Sequence, residues 1–107
     1  MVSEVQTAVE RRIVRLVGPP ANRIGSEGNS REIREVPGGL GEARRLFDQL
    51  AIGGTPYAVS GGQYAREGTL LRMPGGNAFV GLRIGKDNLP TIDIYTRDGY
   101  LKLHFGQ

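Results

Sequence analysis

The stretch PTIDIYTRDGYLKLHF, Pro90 to Phe105, constrains the fold more than any other part of the chain: two runs of alternating apolar and polar residues flank Asp98-Gly99. An Asp-Gly pair suits a two-residue hairpin turn, in which both central residues take positive φ. That turn pairs Arg97 with Tyr100, Tyr95 with Lys102 and Asp93 with His104, while Ile94 faces Leu103 and Ile92 faces Phe105. One side of the hairpin is then apolar, and the other carries Asp93, Tyr95, Lys102 and His104. A three-residue loop would mix the two faces and is disfavoured. A four-residue loop preserves them but sets Asp93 opposite Lys102 and Thr91 opposite His104. Either acceptable register gathers an acid, a lysine and the single histidine of the chain on one side of a sheet.

The remaining pattern places helices before strands. Val5, Val9, Ile13, Leu16 and Val17 recur at helical spacing within Ser3 to Val17, with Ser3 and Gln6 as a capping box and Gly18-Pro19-Pro20 as the stop. The glycine-, serine- and asparagine-rich stretch ANRIGSEGNSREIREVPGG reads as a loop around one compact polar motif, with room for a short helical or extended turn. Leu40 to Leu50 forms a second amphipathic helix, closed by Gly53-Gly54. Strands are expected at Thr69 to Met73, Ala78 to Ile84, Thr91 to Thr96 and Tyr100 to Phe105. The expectation is an α+β domain in which N-terminal helices cover one face of a twisted antiparallel sheet of about four strands. A chain of 107 residues builds one such core, so residues 1–107 form a single domain: 1–20 the first helix and its linker, 21–107 the main body.

Arginine outnumbers lysine twelve to two, and the formal net charge is +3. Guanidinium groups suit bidentate phosphate contacts, which favours a nucleic-acid partner over other anions. With no cysteine and one histidine, a structural zinc site is disfavoured. Asp87, Asp93 and Asp98 are too scattered for a two-metal site, so no metal and no cofactor is expected. No apolar run reaches bilayer length, so no stable membrane association is expected.

Several elements in fixed order carry a family resemblance. Gly68-Thr69 with Pro74-Gly75, Val80-Gly81-Leu82-Arg83, Pro90-Thr91-Ile92-Asp93-Ile94 and Lys102-Leu103-His104-Phe105 follow one another at consistent spacing, preceded by Ser30-Arg31-Glu32-Ile33-Arg34-Glu35. This set resembles the C-terminal toxin domains of bacterial polymorphic toxins, including contact-dependent-inhibition types, with the barnase/EndoU/colicin/RelE ribonuclease fold. It covers roughly Asn22 to the C-terminus. The family's serine-rich loop is replaced here by Arg83-Ile84-Gly85-Lys86-Asp87-Asn88-Leu89-Pro90-Thr91, leaving Thr91 as the hydroxyl.

The resemblance implies a metal-independent endoribonuclease acting on RNA, with tRNA as the favoured substrate, delivered within a larger secreted carrier protein into the cytoplasm of a target cell and neutralised by a cognate immunity protein. In that frame His104 is the candidate acid or base because imidazole titrates near neutrality. Asp93 would orient it, Arg83 and Lys102 would stabilise the phosphorane, and Thr91 would supply a hydroxyl. Arg31, Arg34, Lys86 and Tyr95 complete the expected RNA-binding set. The alternative is a noncatalytic RNA-binding or protein-interaction module that uses the same basic face.

Overall fold

A computed structural model describes residues 7–59, 61–62, 64, 68–75, 78–97 and 99–107. Among these, helix α1 spans Ala8–Val17 and α2 spans Gly39–Leu50. The strands are β1 (Ser26–Glu27), β2 (Ile33–Pro37), β3 (Thr55–Pro56), β4 (Thr69–Arg72), β5 (Phe79–Ile84), β6 (Pro90–Thr96) and β7 (Gly99–Gly106). They form one sheet in the order β1-β2-β7-β6-β5-β4-β3. Every neighbouring pair is antiparallel except β2 and β7, which run parallel.

The class is α+β as expected, but the sheet is larger than four strands and mixed. The four expected strands are β4 to β7. The excess comes from β1 and β2, in the stretch expected to be a loop, and from the short β3. Beyond its short hairpin with β1, β2 pairs with β7, about 70 residues downstream across α2 and the whole β3–β6 meander, a pairing that no turn signal marks.

Helix α1 buries Val9, Ile13 and Val17, one residue per turn on one face, and α2 buries Ala43, Leu46, Phe47 and Leu50. Both faces join the inward side chains of the sheet, Val36, Leu71, Val80, Ile92, Ile94, Leu101, Leu103 and Phe105, in a single core. The sheet face away from this core is the one that the alternation of β5, β6 and β7 reserves for polar residues. The turn into α2 depends on Gly38 at φ 112° and Gly39 at φ 61°; a Cβ on Gly38 would press into the side chain of Glu42.

The expected capping box at Ser3 and Gln6 lies outside the described residues. Helix α1 is capped instead by Thr7, whose hydroxyl accepts from the Glu10 amide at 3.1 Å while the Glu10 carboxylate accepts from the Thr7 amide at 2.8 Å. Glu10 also receives Arg97 Nε at 2.9 Å, so the first turn of α1 is tied to the β6–β7 connection.

That tie bears on the hairpin register. The strands pair Thr96 with Gly99, Tyr95 with Tyr100, Asp93 with Lys102 and Thr91 with His104. This is the alternative register; the pairing of Arg97 with Tyr100 and Asp93 with His104 does not occur. Arg97 leaves the ladder to reach Glu10, and Tyr95 stacks directly on Tyr100 across the strands, with centroids 4.8 Å apart. Both contacts favour the observed pairing over the one that local turn chemistry suggests. Asp98 itself lies outside the described residues.

The tie also yields a stability prediction. Replacing Glu10 by Ala removes the reciprocal cap and the Arg97 contact together, and should cost about 1 to 2 kcal/mol. Thr7→Ala, which removes only the hydroxyl's share, should cost about 1 kcal/mol. Urea unfolding should show both as lower midpoints at unchanged m value; equal stability of Glu10→Ala and wild type would refute the assignment.

Candidate active site on the open sheet face

Alternation along three adjacent strands puts Gly81 and Arg83 of β5, Thr91, Asp93 and Tyr95 of β6, and Tyr100, Lys102 and His104 of β7 on the face opposite the helices. Asp93 is its centre. Only 1% of the residue is exposed, yet its carboxylate accepts four hydrogen bonds. Arg83 donates from Nε to Oδ2 at 2.6 Å and from a terminal nitrogen to Oδ1 at 3.2 Å. Tyr64 Oη donates to Oδ2 at 2.5 Å and Tyr100 Oη to Oδ1 at 2.7 Å. Tyr64 reaches Asp93 by lying over Gly81, where any Cβ would collide with its hydroxyl and ring. The room left by Gly81 is filled by the protein's own tyrosine.

The electrostatics follow from this arrangement. Burial pushes the Asp93 carboxyl upward, but the hydrogen bonds from Arg83, Tyr64 and Tyr100 outweigh it and hold the group below its ordinary value. Tyr64 and Tyr100 are raised, first by burial and then because each hydroxyl must stay protonated to donate to Asp93. Arg83 pays for burial too, and the Asp93 carboxylate more than restores its charge. All four groups are thereby fixed in one protonation state near neutrality.

His104 has a different acidic neighbour from the one expected. Asp93 is taken up by its four donors, while parallel pairing sets Glu35 of β2 directly beside His104. The His104 Nδ1 to Glu35 Oε2 distance is 3.6 Å, with His104 largely buried and Glu35 45% exposed at the side chain. Lys102 sits one alternation away, its Nζ 5.9 Å from the Tyr100 ring centroid. Tyr95, 40% exposed, stacks on the other tyrosine of the pair. Thr91 is fully buried; its hydroxyl donates to the Leu89 carbonyl at 3.1 Å and occupies the space left by Gly85.

Of the candidate residues, the fold thus brings together Arg83, Thr91, Asp93, Tyr95, Lys102 and His104. Arg34 points to the helix side of β2 and clamps the carbonyls of Arg23, Ile24 and Gly25 at 3.1, 3.1 and 2.7 Å. Arg31 is exposed in the turn before β2. Lys86 begins a 3-10 turn after β5, and its side chain lies outside the described residues. Sequence reasoning missed Glu35, Tyr64 and Tyr100. Tyr100 was within reach, since it shares the alternation of Lys102 and His104; Tyr64 stands in a stretch with no periodicity.

Among the described residues no group of three or more His, Asp or Glu side chains could hold a metal ion, and no helix is long and apolar enough to cross a membrane. No family model, curated protein or solved structure matches the chain.

The cluster makes stability depend on pH at both ends. Asp93, held low, contributes stability that is full above the unfolded carboxyl value near 4 and is lost as pH falls through the folded value. Tyr64 and Tyr100, held high, contribute stability that is full below the unfolded tyrosine value of about 10 and is lost as pH rises through theirs. Unfolding free energy should therefore plateau near neutrality and fall on both sides. Tyr64→Phe and Tyr100→Phe should each remove one late step from the ultraviolet tyrosinate titration. Asp93→Asn, which strands Arg83, should cost about 3 to 5 kcal/mol. A flat stability profile from pH 3 to 11, a range of about eight units, would contradict the network.

Proposed function

We propose that this chain is a metal-independent endoribonuclease domain of the bacterial polymorphic-toxin type, with the barnase/EndoU/colicin/RelE-like fold. The observation that carries the reading is the His104–Glu35 pair at 3.6 Å on the face that also presents Lys102 and Tyr95. A helix layer behind an open, aromatic and basic sheet face agrees with it, as does the net charge of +3.

In the proposed reaction the ribose 2′-hydroxyl loses its proton and attacks the adjacent phosphorus. The phosphorane then expels the 5′ oxygen, which takes up a proton, leaving a 2′,3′-cyclic phosphate. His104 exchanges the proton, and Glu35, beside its Nδ1, orients the ring. Lys102 supplies positive charge to the phosphorane. Arg83 and Asp93 are assigned as positioning residues, since each occupies the other's hydrogen-bonding groups, and Thr91 as part of the support beneath His104. Tyr95 stacks on a base. We further propose tRNA as substrate, delivery within a larger secreted carrier into a target cell's cytoplasm, and an acidic immunity protein covering this face in the producer.

A noncatalytic RNA-binding module is a second reading, favoured by the exposed Tyr95 on its stacked partner beside Lys102. The two diverge at His104. Purified protein should cleave total RNA in excess EDTA, with products ending in a 2′,3′-cyclic phosphate and no cut where the upstream ribose lacks its 2′-hydroxyl. His104→Ala should lower the rate by about 10²- to 10⁴-fold while RNA binding persists. Glu35→Gln should lower it about fivefold, as expected for loss of a partly exposed charge contact. Undiminished cleavage by folded His104→Ala, or activity lost in EDTA and restored by magnesium, would overturn the mechanism.

A further inference from the structure

The register from β4 to β7 sets Arg72, Phe79, Tyr95 and Tyr100 side by side, one on each of four adjacent strands. All four belong to the open face, because Leu71, Val80, Ile94 and Leu101 next to them in sequence are buried in the core behind. The Tyr100 ring is used internally, by Asp93 and by Tyr95, so it backs the row and offers no surface of its own. Toward the sheet edge the row gains another ring. The Tyr57 amide donates to the Leu70 carbonyl at 2.8 Å, and its ring meets that of Phe79 edge-on with centroids 4.9 Å apart. Tyr57 and Tyr95 are 45% and 40% exposed, so the accessible part of the row runs from Tyr95 across Phe79 to Tyr57. A cation stands toward each end: Arg72, exposed beside Phe79, and Lys102, with its Nζ 5.9 Å from the Tyr100 ring centroid. Among the described residues neither pairs with a carboxylate.

We infer that this row is a track for unpaired RNA, whose bases stack on Tyr95, Phe79 and Tyr57 and whose phosphates are met by Arg72 and Lys102. Rings aligned across one face give every base a flat partner, whatever its identity. The two cations supply the complementary charge. A neutral sugar would use the rings and leave the cations without an acceptor, whereas an acidic polypeptide would use the cations and leave the rings in water. A duplex keeps its bases stacked inside and brings only its backbone to such a face. An unpaired strand satisfies both parts of the row at once.

The place of this track in a reaction rests on the endoribonuclease reading. His104 lies on the same face, four residues from Tyr100 along β7 and thus roughly 13 Å away. A strand reacting at His104 would lay its neighbouring nucleotides across the rings, so the substrate must be unpaired beside the scissile bond. In a folded RNA such stretches are loops, bulges and ends. Selection of the cleavage site then comes from the track, and the acid–base chemistry at His104 has no part in it.

The test titrates the full chain with a strand of about eight 2′-O-methyl nucleotides, which lacks the attacking hydroxyl and so stays intact, alone or annealed to its complement. Binding is followed by fluorescence anisotropy at several salt concentrations. The single strand should bind about tenfold or more tightly than the duplex. Tyr57→Ala, at an exposed position, should weaken single-strand binding about fivefold or more at unchanged salt dependence, and Tyr57→Trp should retain it. Arg72→Ala should instead lower the slope of log K against log salt by about 0.7, one phosphate's share for a single strand. With cleavable RNA, Tyr57→Ala should raise KM about fivefold or more. Equal affinity for strand and duplex, or wild-type binding by Tyr57→Ala, would overturn the track. Polyglutamate competing as well as the unlabelled strand would overturn it too, and would mark the face as a surface for an acidic protein. Cleavage of RNA at a KM unchanged in Tyr57→Ala would overturn the track and leave the endoribonuclease reading standing. Strand-selective, Tyr57-dependent binding by a protein that never cleaves RNA would uphold the track and overturn that reading.

Discussion

The open face depends on one buried charge. An isolated carboxylate cannot be taken out of water without a large penalty, and near-neutral protonation is the usual escape. Asp93 avoids it because four donors converge on its two oxygens, two from Arg83 and one each from Tyr64 and Tyr100. The satisfaction is mutual. Arg83 is anchored by the same contacts, Tyr64 is drawn over Gly81, and Tyr100 is held where Tyr95 can stack on it and Lys102 can lie near its ring. A cluster of this kind sets rotamers across β5, β6 and β7 at once, which is what a preorganised surface requires.

Arginine richness looks different once the structure is known. At least six of the twelve arginines are engaged internally. Arg12 donates to the carbonyls of Leu50, the last residue of α2, and of Ile52 just beyond it, Arg23 to Gly18, and Arg34 to three successive carbonyls. Arg45 pairs with Glu42, Arg83 with Asp93 and Arg97 with Glu10. Lysine could not substitute at Arg34, since a single ammonium cannot span three carbonyls as a planar fork does. Much of the compositional bias therefore measures how this small domain ties its loops together.

What was legible in the sequence was what local chemistry decides. The two amphipathic helices, the four strands of the meander and the division of the last hairpin into an apolar and a polar face all follow from periodicity, and all are present. What escaped depends on partners distant in sequence. The hairpin register turned on Glu10, some 87 positions from Arg97, and on a cross-strand tyrosine stack. Strand β2 has a local partner only in the two-residue β1; its longer pairing, with β7, is parallel and non-local and leaves no local mark. Glu35 was invisible as a neighbour of His104 for the same reason, and Asp93 could be placed on the right face without any sign that Tyr64 would help to occupy it.

The parallel contact between β2 and β7 therefore carries more than its length suggests. Its register sets Glu35 beside His104 and, at the other end, brings the turn holding Arg31 and Glu32 next to Tyr100, where the Glu32 carbonyl accepts from the Lys102 amide at 2.7 Å. The His104–Glu35 pair and the Glu32–Lys102 backbone contact are two products of one strand alignment. That alignment is held from behind, by Val36 in the core and by the Arg34 fork on the backbone of residues 23–25. Because a parallel strand slipped by one residue would turn Glu35 toward the helices, Arg34 bears on the geometry of the open face without reaching it.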